Sequence, residues 1–226
     1  MMVIQNVMAK KTLSKNGIQK GYQDYLLDHG RAPETVRIFT KFLGADDEAF
    51  YKHFGSLKNI ELSIWEGYYN RTFEVIQKDP DFEEMSGREK HLSFLYTMLE
   101  LIKPDRSYIL HKLEGKKPHE LPSELRNAQK VILQSDEIDW AKSSEFLPDS
   151  VNQKTQSAYK GVLSSHTIAL LLFWINDDSG ESKDTDAFIE KSTRTAFDIG
   201  ELPAIDSLLD MSKFFLQKMG FTKTSV

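Results

Sequence analysis

Cysteine is absent from the chain, which excludes disulfide staples and thiolate-held metals and suits a reducing cytosol. Long apolar runs are missing as well. The longest, Ile168–Ile175, has eight residues, against the roughly 20 that span a bilayer, so it reads as a buried helix segment. No basic leader followed by an apolar stretch and a small-residue cleavage site opens the sequence, and a soluble, cytoplasmic protein is expected. Met8-Ala9-Lys10-Lys11 offers an alternative start, with Met1–Val7 as an extension. Internal repeats and low-complexity tracts do not occur. Neither does a Gly-rich phosphate loop, a nucleophile elbow or a zinc-hydrolase motif, so no enzyme, no cofactor and no metal site is expected.

Runs of alternating β-branched residues are also lacking, and the sequence reads as all-α. With 226 residues, 40% of them hydrophobic, the chain can bury a real core. Charge is unevenly divided. Residues 1–58 hold nine Lys/Arg and six Asp/Glu, a net +3, while the remainder holds twenty and twenty-eight, a net −8. A mildly basic head on an acidic body fits a small nucleic-acid module joined to a ligand or dimer domain, and equally fits ordinary surface variation.

Helical spacing runs through the chain. Ile18, Tyr22, Tyr25 and Leu26 share one face of a helix that stops at His29-Gly30. A second helix spans Thr35 to Phe42, opened by Pro33-Glu34 and closed at Gly44. Asp46 or Asp47 can cap a third, ended by Gly55. Ser56 caps a long helix with Ile60, Ile64, Tyr68 and Val75 on one stripe, stopping before Asp79-Pro80-Asp81. Ser86-Gly87-Arg88-Glu89 has the capping-box pattern for a helix reaching Ile102. Further helices are expected from Pro104 to Gly115, over Ser123–Gln134, Ser150–Asn176 and Asp184–Ile199, and over Pro203–Met219, with residues 200–203 a kink or a break.

Glycine turn, polar opening, aromatic anchors and glycine exit succeed one another from Gly44 to Gly55. Phe50-Tyr51-Lys52-His53-Phe54 is the densest part, and with Gly30, Thr35, Phe39 and Gly44 it resembles the helix-turn-helix head of the TetR family of regulators over Ile18 to Ile60. The resemblance implies a three-helix head over residues 15–58 after an N-terminal extension, 1–14. A larger helical ligand-binding and dimerisation body follows over 59–226. It implies duplex DNA as a partner, met by Thr35, Asp47, Tyr51, Lys52, His53 and Lys58; the separate group Lys10, Lys11, Lys15 and Lys20 can reach DNA phosphates as a basic N-terminal arm and can equally meet an anionic membrane surface. It also implies a small hydrophobic ligand and a homodimer made by the C-terminal helices.

Several positions depart from the family pattern. Asp46, Asp47 and Glu48 stand where a Ser or Thr and a basic or small residue are usual, Ala49 replaces a Thr, and Thr40 and Leu43 replace two close-packing alanines. Leu57 stands where a Lys is favoured. Three acids beside a polyanion weaken the general attraction to phosphates, yet a carboxylate can also read a cytosine amino group. The regulator therefore has an alternative: a TetR-fold lipid- or isoprenoid-binding accessory protein that has lost DNA binding.

In the body, Trp65, Tyr69, Phe73, Phe94 and Tyr108 are the candidate ligand-lining residues; aromatic stripes at helical spacing also make ordinary core. Leu163, Ile168, Leu171, Leu172 and Ile175 with Phe188, Phe197, Leu208, Leu209, Phe214, Phe215 and Leu216 either pack across a two-fold axis or form intramolecular core. His91, His111, His119 and His166 have no metal-ligand spacing and read as solvated or core histidines.

Overall fold

In the computed structural model, residues 12–136, 138–140 and 149–200 are described. The chain divides into two units, one ending at Ile64 and the other beginning at Trp65. No strand occurs among the described residues, and the protein is all-α.

The first unit is built from α1 (Lys15–His29), α2 (Val36–Leu43), α3 (Asp47–Tyr51) and the opening turns of α4 (Leu57–Ile76). Each boundary has a local cause. The Ser14 hydroxyl accepts the Gly17 amide at 3.0 Å and starts α1, and Gly30 ends it at φ 67°, a left-handed position that glycine adopts without a Cβ clash. Thr35 caps α2, and Gly44, at φ 68°, returns its amide to the Lys41 carbonyl. Ile18, Tyr22, Leu26, Phe39, Phe50, Phe54 and Ile60 are all buried. The rings meet edge to face, Phe39 lying 5.8 Å from Tyr22 and 6.2 Å from Phe50, the geometry that ring quadrupoles favour. Two polar contacts tie α1 to α4 within this core: the Tyr22 hydroxyl donates to Glu61 Oε1 and Gln19 Nε2 to Ser63 Oγ, each at 2.6 Å.

Two expectations need correcting here. α3 ends at Tyr51 rather than running to Gly55, because Lys52 and His53 already turn. Val75 is 45% exposed, and Ile76 takes the inward place at the end of α4.

The second unit contains the rest of α4 with α5 (Gly87–Ile102), α6 (Arg106–Leu113), α7 (Ser123–Ala128), α8 (Lys130–Leu133), α9 (Asp149–Ile175) and α10 (Lys183–Gly200). The capping box is present as read: Ser86 accepts from the Glu89 amide, and Glu89 accepts from the Ser86 amide. The expected helix over 123–134 is split, since Gln129 interrupts it. Residues 203–219, together with Lys10 and Lys11, lie outside the described residues.

α9 is the central helix, packing against α5, α6, α8 and α10. Its Asn152–Ile175 stretch is long and apolar enough to cross a membrane by composition alone, but 67% of that window is buried within the protein. Leu163, Ile168, Leu171 and Ile175, candidates for a dimer face, are buried against neighbouring helices of the same chain, whereas Phe173 is exposed and stacks on Phe188 at 4.5 Å. Arg106 closes α9. Its guanidinium donates to the Trp174 and Asp177 carbonyls at 2.9 and 3.2 Å and lies 4.8 Å from the Trp174 ring, a cation at the negative end of the helix dipole.

Candidate nucleic-acid face and the core of the body

The three acids that open α3 meet three different fates. Asp46 is the N-cap, its Oδ1 accepting the Ala49 amide at 2.8 Å. Asp47 turns back to α2, where its Oδ1 accepts the Thr40 hydroxyl at 2.6 Å and lies 3.8 Å from the Arg37 guanidinium. Glu48 points outward with its side chain 75% exposed and pairs with Lys52 at 3.2 Å. Thr40 is the buried partner that makes Asp47's orientation possible, so a departure from the family pattern supplies the hydroxyl that holds another. The bulk of Leu43 is accommodated in the same way. A Cβ on Gly21 of α1 would stand 2.3 Å from Leu43 Cδ2, so the bare glycine provides the room that an alanine at 43 would otherwise give.

Phe50 and Phe54 anchor α3 inward, which leaves Glu48, Tyr51 and Lys52 outward at spacings i, i+3 and i+4. Tyr51 is 57% exposed. Thr35 and Lys58 are exposed at the starts of α2 and α4, with the Thr35 hydroxyl accepting the Ile38 amide at 3.2 Å. His53 is tethered: its Nε2 donates to the Leu13 carbonyl at 2.8 Å, which fixes the tautomer.

In the second unit, the five candidate ligand-lining residues are all core. Trp65, Tyr69 and Phe94 are 0% exposed, Tyr108 1% and Phe73 8%. Four of them form two ring clusters. Trp65 lies 6.3 Å from Tyr108, while Phe73 meets Phe94 at 5.0 Å and Trp140 at 6.0 Å. A ligand touching them has to part these rings. The Trp65 Nε1–H is buried without an acceptor, a cost that interiors seldom leave unmet.

Two buried polar chains cross this core. Ser164 donates to Gln129 Oε1 at 2.5 Å, and Gln129 Nε2 donates to the Tyr69 hydroxyl. Burial pushes the Tyr69 phenol well above its ordinary range, so it stays protonated. The second chain joins α5, α9 and α10. Ser192 donates to the Phe188 carbonyl at 2.5 Å, so its Oγ accepts from His166 Nε2 at 2.6 Å. His166 Nδ1 is then the acceptor for His91 Nε2–H at 2.8 Å. Both imidazoles are neutral: burial lowers His166 to about 4, and burial together with the neighbouring His166 lowers His91. Ser192 lies inside α10, whose amides serve the helix, so the chain links three helices rather than forming a nucleophilic centre. Of the two sequence readings, solvated or core, His91 and His166 are core; their pairing across 75 positions had no sequence signal.

No group of three or more metal-ligating side chains occurs among the described residues. No curated protein matches the chain. Residues 90–215 match the tetracyclin repressor-like C-terminal domain, more than half of the sequence, and the match lies within the body whereas the helix-turn-helix resemblance lies in the head. The chain belongs to the TetR family.

Proposed function

We propose that the protein is a dimeric transcriptional regulator that binds duplex DNA through α2 and α3 and is modulated by a small hydrophobic ligand in its body. The observation that carries this reading is the outward face of α3, where Tyr51 is exposed and Lys52 stands beside Glu48, while the half-buried Asp46 and Asp47 accept hydrogen bonds within the head. Glu48 is thus the most exposed of the three carboxylates, and the other two are held by contacts within the head. Tyr51 and Lys58 contact the backbone, Thr35 approaches it from the start of α2, Lys52 faces the groove beside Glu48, and His53 and Asp47 hold the head in shape. The ligand enters by parting Trp65, Tyr69, Phe73, Phe94 and Tyr108, and its preference for the opened core over the closed one is what shifts the protein between its two states. Family membership supports a cytoplasmic homodimer, with the half-buried Phe188 and Phe197 of α10 and the exposed Phe173 of α9 available for pairing.

Fluorescence anisotropy of random duplex DNA at about 50 and 200 mM salt tests the reading. Binding that weakens steeply with salt is expected. Absence of binding at the lower concentration removes DNA from the function and favours the lipid- or isoprenoid-binding alternative, to be pursued by extracting whatever the purified protein carries.

A further inference from the structure

Asp46 and Asp47 of α3 each have an oxygen committed within the head, to the Ala49 amide and to Thr40 with Arg37. Glu48 differs from both. Its carboxylate stands in solvent beside the Lys52 ammonium, 3.2 Å away, with side chains 75% and 66% exposed. The outward face of α3 therefore presents a pure acceptor next to a pure donor. The major-groove edge of a C·G pair has the complementary set, with the cytosine N4 amino group as donor and guanine O6 and N7 as acceptors. Adenine also carries an amino group, but its own N7 acceptor sits beside it and repels a carboxylate, and thymine offers an acceptor and a methyl group.

We propose that Glu48 determines the sequence preference of the head: its carboxylate accepts from a cytosine N4 amino group while Lys52 donates to guanine O6 or N7 of the same pair. The proposal rests on the DNA-binding reading above. An exposed ion pair contributes little by itself, so exchanging it for the base edge costs little. Because Lys52 accompanies Glu48, the carboxylate enters the groove with its charge offset. Asp47 is the position that the family resemblance singles out, but its carboxylate is turned onto α2.

The test is selection of bound sequences from a random duplex library by the full-length protein, in the wild type and in Glu48→Ala, Glu48→Gln and Asp47→Ala variants. The wild type enriches a C·G pair at a fixed position in each half-site. Glu48→Ala lowers that preference about tenfold without weakening binding to unrelated DNA, since a negative charge has left the face. Glu48→Gln moves the preference toward adenine, whose N6 and N7 match a carboxamide. Should all four proteins select the same sequence, Glu48 is not the reader and the DNA-binding reading survives without it. If Asp47→Ala erases the preference while Glu48→Ala spares it, the role belongs to Asp47 and the proposal falls. Failure of every protein to enrich any sequence, with no salt-dependent binding, removes the DNA reading and this inference together.

Discussion

At the scale of single residues, the His91–His166–Ser192 chain has a consequence for acid stability. Both imidazoles titrate below the ordinary value of 6.5 in the folded protein, His166 at about 4. The unfolded chain therefore takes up protons first as pH falls. Their contribution is complete above about pH 6.5 and is lost as pH drops toward 4, at roughly 1.4 kcal/mol per pH unit for the first histidine to titrate. A proton on His166 Nδ1 would also face the His91 N–H across 2.8 Å, replacing a bond with a repulsion. Thermal unfolding at pH 7 and pH 5 should show a clear drop in Tm for the wild type and a smaller one for His166→Gln. Equal drops in the two proteins would remove the assignment. Asp177 behaves differently. Burial raises its carboxyl, but hydrogen bonds from the hydroxyls and amides of Ser179 and Thr185 outweigh that and leave it at about 2. Its contribution is present above its unfolded value near 3.8 and fades only as pH falls toward 2.

At the scale of elements, two glycines should respond in opposite ways to the same change. A Cβ on Gly87, the first residue of α5, would stand 2.4 Å from the Trp140 carbonyl oxygen and 2.9 Å from Tyr159 Cε1. Gly87→Ala should cost about 1–3 kcal/mol, as overpacking does, read as a lower urea midpoint. Gly67 lies within α4 with nothing within 4 Å of its added Cβ, and Gly67→Ala should raise the midpoint by up to about 1 kcal/mol. How far the elements were legible follows the reach of their causes. Gly30, Gly44 and the Ser86–Glu89 box act over a few residues, and the sequence places them. The early end of α3 was hidden because Phe50 and Phe54 keep helical spacing although the chain between them turns. Periodicity also could not tell Val75 from Ile76, adjacent apolar residues of which one turns inward. The Tyr69–Gln129–Ser164 and His91–His166 contacts join residues 60, 35 and 75 positions apart, and no local pattern encodes them. On the candidate face, an aspartate cap before α3 was readable but not which of Asp46 and Asp47 serves, because the turn of Asp47 toward α2 depends on Thr40 across the bend.

At the scale of the whole molecule, the excess of acid sets a limit. The chain carries a net −5, and the +3 of its first 58 residues has to overcome the −8 of the rest. Of the head cations, Lys20, Arg31, Arg37 and Lys52 already face carboxylates. Each phosphate neutralised adds about −0.9 to the slope of log affinity against log salt. Two to four contacts per protomer thus predict a slope of roughly −2 to −4 per protomer; a steeper slope would mean that cations outside α2 to α4 take part. The distribution of tryptophan adds one more consequence. All three, Trp65, Trp140 and Trp174, belong to the second unit and are at most 1% exposed, while the head contains none. Native indole emission is thus a private optical channel for the body: blue-shifted in the folded protein, sensitive to anything that parts the aromatic core, and blind to a duplex touching Tyr51 alone. A duplex that shifts it has been felt at a distance.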